Sequence, residues 1–132
     1  MFPLDPNDPR PLYVQIMDGV RRGILRRSLR PDDALPSVRD LARDLRVNPN
    51  TVQQAYRELE REGLVYVRRG QGTFVSPDLN PAPVREAVIR QLADRFTREA
   101  AQIGLTLEEV VEGIRGVRES RTAPDSQEGD DR

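Results

Sequence analysis

The sequence predicts a mainly α-helical chain with one small β-hairpin, and three observations carry that prediction. Apolar residues recur at three- and four-residue spacing in five separate stretches. Prolines, glycines and capping side chains separate those stretches. Two β-prone runs, Leu64-Val65-Tyr66-Val67 and Thr73-Phe74-Val75, flank a glycine-bearing turn.

The elements follow in order. Residues 1–11 hold four prolines and read as an irregular arm. Tyr13, Ile16, Met17, Val20 and Ile24 form the stripe of a first helix over about 11–27, with Pro11 at a position where a missing N–H is tolerated. Pro31 and Pro36 break the connector at 28–36. Ser37 then caps a short second helix whose inner face is Val38, Leu41, Ala42 and Leu45, with Asp40 in capping-box position. Asn48 caps a third helix that opens on Pro49 and stops at Gly63. Its apolar face is Val52, Ala55, Tyr56 and Leu59, and its outer face carries Asn50, Thr51, Gln53, Gln54, Arg57 and Arg61. The hairpin follows, with Arg68, Arg69, Gly70 and Gln71 at its turn.

Pro77, Pro81 and Pro83 place a linker at 77–83. A fourth helix is expected over about 84–103, with Val84, Val88, Leu92, Phe96, Ala100 and Ile103 as its stripe, ending at Gly104. Thr106 and Glu109 form a capping box for a fifth helix with the stripe Leu107, Val110, Val111, Ile114 and Val117. The polar, acidic segment 119–132, with Pro124, is expected to be disordered.

Composition narrows the function classes. Net charge is −1, from 21 basic and 22 acidic side chains, and every basic residue is Arg. The charge is uneven: residues 1–79 hold 13 Arg against 11 acids, and residues 80–132 hold 8 Arg against 11 acids. Arg keeps its charge and offers a planar donor fork suited to phosphate and guanine. The absence of Cys and His removes thiol nucleophiles, disulfides, thiolate metal sites and imidazole catalysis. No enzyme activity, cofactor or metal is expected. No apolar run reaches membrane-spanning length, and the start lacks a signal peptide's basic and apolar pattern, so the expectation is a cytoplasmic protein.

Helix, helix, tight turn, helix, hairpin is the order of a winged helix-turn-helix. In that arrangement the second and third helices pack through Leu41, Leu45, Val52 and Tyr56, and the third is free to enter a major groove. Its positive N-terminus and backbone N–H groups favour phosphate. The residues permit blander roles. Arg39 can pair with Asp40 or Asp44. Gln53, Gln54, Arg57 and Arg61 can be ordinary surface groups, and Arg68 and Arg69 can be solubilising charges. Tyr56 reads as core. Glu108, Glu109 and Glu112 read as a helix N-terminal charge bias rather than a metal site.

Several linked segments resemble the GntR family of bacterial regulators. They are Leu35-Pro36-Ser37-Val38-Arg39-Asp40-Leu41-Ala42, Val47-Asn48-Pro49-Asn50-Thr51-Val52, Tyr56-Arg57-Glu58-Leu59-Glu60, Gly63-Leu64-Val65 and Arg69-Gly70-Gln71-Gly72-Thr73-Phe74-Val75. Two short helices after the hairpin are similar to the YtrA subfamily, whose short C-terminal helices mediate dimerisation. The resemblance implies a DNA-binding domain at 1–76, with its arm, and a dimerisation segment at 84–118. It implies a homodimeric repressor of a palindromic operator, controlling its own operon and ABC-type transporter genes. DNA contacts then fall on Ser37, Arg39, Asn48, Pro49, Asn50, Thr51, Gln53, Gln54, Arg57, Arg68, Arg69, Gly70 and Gln71. Dimer contacts fall on Val84, Val88, Leu92, Phe96, Leu107, Val110, Val111 and Ile114. Pro49 stands where relatives can carry Arg, so a base contact from that position is not expected. Arg27 and Asp32 stand where the family commonly has Gly. If those backbones need positive φ, each costs about 1 kcal/mol.

Two other readings stay open. A winged helix can serve as a protein-interaction module, and a dimer interface can hold a small effector. Double-stranded DNA and a second copy of the chain are the expected partners, with no membrane involved and the effector unknown.

Overall fold

The computed structural model describes Phe2 and residues 4–130, with side chains as far as residue 121. The chain forms two compact units, Met1–Val88 and Ile89–Arg132.

In the first unit, α1 (Leu12–Arg26) buries Ile16, Met17 and Val20. Pro11 is its N-cap rather than its first helical residue. The helix stops because Arg27 turns left-handed, at φ 63°, and Ser28 and Leu29 donate back to the Gly23 carbonyl. The proline-rich arm is irregular, as expected, yet it is firmly seated. Phe2 is buried in the core against Gly19, where a Cβ would meet the Phe2 ring at 2.5 Å. Gln15 and Asp18, polar residues on the buried side of α1, take their partners from the arm. Gln15 accepts from the Asp5 N–H at 2.9 Å, while Asp18 pairs with Arg10, which also holds Asp8. Arg21 joins Asp18 at 3.0 Å to Glu62 at 2.8 Å.

Ser37 caps α2 (Val38–Leu45) by accepting from the Asp40 N–H at 3.1 Å. Arg46 then adopts φ 58° and turns the chain into α3 (Pro49–Arg61). The core joins α1, α2 and α3 through Leu41, Ala42, Val52, Ala55, Tyr56 and Leu59. The Tyr56 hydroxyl donates to the Pro36 carbonyl at 2.7 Å, tying α3 to the start of α2. Burial raises the Tyr56 phenol above its ordinary range. Gly63, at φ 78°, lets the chain leave α3 where a side chain would be strained.

β1 (Val65–Arg68) pairs antiparallel with β2 (Gly72–Val75), with Val65 opposite Val75 and Tyr66 opposite Phe74. Val65 and Val75 point into the core. The connector between α1 and α2 lies along the other edge of β2. Asp32 and Leu35 donate to Val75 and Thr73 at 2.9 and 2.8 Å, and Val75 donates back to Asp33 at 2.8 Å. Asp32 holds φ 65° to do this, so both connector positions flagged in the sequence require positive φ.

α4 (Pro81–Gln102) begins about three residues before the expected start. Asn80 accepts from the Ala82 N–H at 3.1 Å, and Pro81 and Pro83 fall in the first turn, where no helical N–H bond is needed. Val84 is buried with the first unit's core. In the second unit, Gly104 ends the helix at φ 78°, and Thr106 and Glu109 close a reciprocal capping box. α5 (Leu107–Asp130) follows and runs past the expected end at 118. The tail expected over 119–132 falls largely on residues whose side chains or backbone lie outside those described. No described helix is long and apolar enough to cross a membrane.

Candidate nucleic-acid interface

One side of α3 is buried and the opposite side is wholly polar. Asn50, Gln53, Gln54 and Arg57 are exposed and follow the three- and four-residue spacing that stacks side chains on one helical face. Thr51 is half-buried at the margin. Arg61 is exposed but pairs with Glu58 at 2.8 Å. Arg57 makes no ion pair or side-chain hydrogen bond among the described residues. An α-helix fits the major groove, and amides and guanidinium groups can read its base edges.

The N-terminus of α3 is more fully occupied than its sequence suggests. Pro49 has no N–H, Asn50 donates to the Asn48 side chain at 2.8 Å, and Thr51 donates to the Asn48 carbonyl at 2.9 Å. The first N–H groups are therefore absent or bonded within the chain. What faces outward is side chains and the helix dipole. Ser37 is likewise committed through its hydroxyl to the α2 cap.

Arg39 lies exposed on the first turn of α2 and is unpaired among the described residues. The acids that could have neutralised it go to Arg43, which meets Asp40 at 3.3 Å and Asp44 at 3.8 Å. On the hairpin, the two adjacent arginines differ. Arg69 is exposed with no described partner, beside Gly70 at φ 76° and Gln71, whose N–H closes the turn onto the Arg68 carbonyl at 2.9 Å. Arg68 folds back over the sheet, its guanidinium carbon 4.1 Å from the Phe74 ring centroid and 5.3 Å from that of Tyr66. It also contacts the Tyr66 hydroxyl and approaches Asp32 at 3.5 Å. The contact of Asp32 with Tyr66 has no local signal in the sequence, because 34 residues separate them. Arg68 being two positions from Tyr66 on one strand was the available clue.

Of the residues expected at a dimer contact, Val84 and Val88 are buried in the first unit. Leu92 and Val110 are half-buried. Phe96, Leu107, Val111 and Ile114 are exposed, as are Ile103, Leu105 and Val117, which complete an apolar stripe. The acids at the start of α5 have local partners: Glu109 caps Thr106, and Glu112 sits 3.8 Å from Arg115.

Residues 12–75, from the start of α1 to the end of β2, match the family model for bacterial regulatory proteins of the gntR family. The chain is 41% identical over 107 residues to the uncharacterized HTH-type transcriptional regulator YhcF of Bacillus subtilis, covering 80% of this chain and 88% of that one. The chain belongs to the GntR family. It is also 36% identical over 119 residues to the transcriptional repressor YtrA of the same bacterium, covering 89% and 92% of the two chains. That near full-length match places this GntR protein in the YtrA subfamily. Among solved structures, a GntR family regulator from Listeria monocytogenes matches with TM-score 0.65 and 32% identity, over 83% of this chain and 97% of that one. The DNA-binding domain of AraR in complex with operator ORX1 matches with TM-score 0.51 and 28% identity, over 55% of this chain and 90% of that one. This GntR protein is a DNA-binding transcriptional regulator and not an enzyme.

Proposed function

We propose that this GntR protein acts in the cytoplasm as a homodimeric repressor that binds a palindromic operator. Two copies of α3, related by a two-fold axis, enter successive major grooves. Gln53, with Asn50 and Gln54, reads base edges, Gln53 through an amide able to pair with adenine. Arg39, Arg57 and Arg69 contact phosphate. The observation that carries this reading is the exposed polar face of α3, with exposed arginines at Arg39 and Arg69 that have no partner among the described residues. Support comes also from the relatives named as repressors and from the operator complex of the AraR domain.

Repression of its own operon, together with ABC-type transporter genes, is the regulatory role that the subfamily suggests. The polar, arginine-bearing outer face of α3 argues against an interaction module that does not use DNA. Selection of duplexes from random DNA gives the test. A palindromic consensus should emerge, and binding should weaken steeply with salt, because each neutralised phosphate contributes about −0.9 to the slope of log K against log salt. Arg39→Ala combined with Gln53→Ala should abolish operator preference while the fold persists. Unchanged operator affinity in that variant would overturn the assigned face.

A further inference from the structure

The hairpin carries two neighbouring arginines, and among the described residues only Arg68 meets a carboxylate. Arg69 stands in solvent. Arg68 sits over Phe74 and Tyr66, with its Nη2 directed to the Tyr66 hydroxyl and 3.5 Å from Asp32. The Tyr66 hydroxyl in turn donates to the same Asp32 oxygen at 2.6 Å. Asp32 comes from a different element, the connector along β2, and holds its carboxylate there on a backbone at φ 65°. Glycine reaches that conformation without strain, so the connector's path does not require an aspartate. Asp tolerates that conformation better than most side chains, but the backbone alone favours glycine, so the engaged carboxylate points to a role for the side chain.

We infer that Asp32 limits the DNA affinity of this regulator by neutralising Arg68. The wing then meets DNA with one free cation, Arg69, in place of two. The inference rests on the DNA-binding reading above. A phosphate approaching Arg68 also approaches the Asp32 carboxylate, so the pair offers little net charge and releases few counterions. Removing the carboxylate's charge converts Arg68 into a further phosphate ligand. The effect is insensitive to base sequence, because phosphate contacts carry no direct sequence information. Asp32 thereby lowers binding to random duplex without altering the base-reading face of α3.

The experiment measures binding of the full chain to random-sequence duplex DNA across a range of salt. Asp32→Asn keeps the side chain's shape, and Asn tolerates left-handed backbone. Asp32→Asn should tighten binding several-fold at low salt and steepen the slope by about 0.9 per protomer. Arg69→Ala should flatten the slope by about 0.9 per protomer, and Arg68→Ala alone should weaken binding, because it leaves the Asp32 carboxylate uncompensated beside phosphate. Combining Asp32→Asn with Arg68→Ala should restore the native slope. A slope flatter than the native one when Asp32→Asn and Arg68→Ala are combined would overturn the inference, since Arg68 would already be on phosphate. An unchanged slope for Asp32→Asn would overturn it equally. If the native protein shows no salt-dependent duplex binding, the DNA-binding reading itself fails, an outcome distinct from either of these.

Discussion

Arg27, Asp32 and Arg46 all hold φ between 58° and 65°, a region that costs a side-chain-bearing residue about 1 kcal/mol. The three are not equivalent. The Arg27 side chain has no described partner, so Arg27→Gly should stabilise the protein by about 0.5–1 kcal/mol. Urea unfolding should show a higher midpoint with an unchanged m-value. Gly19 presents the opposite case. Alanine is favoured over glycine by about 1 kcal/mol within a helix, but its Cβ would meet the Phe2 ring at 2.5 Å. Displacing a buried Phe forfeits about 1.5–3 kcal/mol, so Gly19→Ala should be net destabilising despite the better helix former. Thermal unfolding of the two variants should shift in opposite directions.

Tyr56 belongs to the same scale. Its ordinary value is 10.0, and burial raises it in the folded chain. Below about pH 10 the phenol is neutral in both folded and unfolded chains, so its contribution is constant. Above that, the unfolded chain loses its proton first, and stability must fall as pH rises. Denaturant titrations from pH 8 to 11 should show this fall, and Tyr56→Phe should flatten it. The same variant should cost about 1–3 kcal/mol at neutral pH, because it leaves the Pro36 carbonyl unpaired.

At the scale of elements, α3 is defined at both ends by local chemistry. Asn48 satisfies its first donor, and Gly63 releases its last turn. Asn48→Ala should cost about 1 kcal/mol, read by equilibrium unfolding. It should also weaken operator binding, because the N-terminal turn presents Asn50 and Gln53. The three helices and the hairpin were legible because their caps, breakers and apolar spacing are local signals. The start of α4 was not, because Pro81 and Pro83 look like linker residues although both are compatible with a first helical turn. Local signals in the arm show only its irregularity. Its function as a cover for α1 depends on Phe2 reaching Gly19 and Arg10 reaching Asp18, pairings that no periodicity announces.

For the molecule as a whole, the second unit leaves Phe96, Ile103, Leu107, Val111, Ile114 and Val117 exposed. Such a stripe on two helices seeks cover, and in the proposed homodimer a second copy supplies it symmetrically. Val111→Glu with Ile114→Glu should convert a dimer into a monomer by sedimentation. Operator affinity should drop by orders of magnitude while the first unit keeps its helical circular dichroism. A dimer that survives those two charges would mean that the stripe is not its interface.

The amino-acid sequence by itself determined the order of elements, their caps, the polar face of α3 and the family, since each rests on residues close along the chain. Tertiary structure alone decided that Arg68 meets a carboxylate. Arg68 and Arg69 lie side by side, yet among the described residues only Arg68 meets a carboxylate. Charge pairing depends on which carboxylate folding brings within a few ångströms. For Arg68 that carboxylate is Asp32, which reaches it only because the connector packs along the edge of β2.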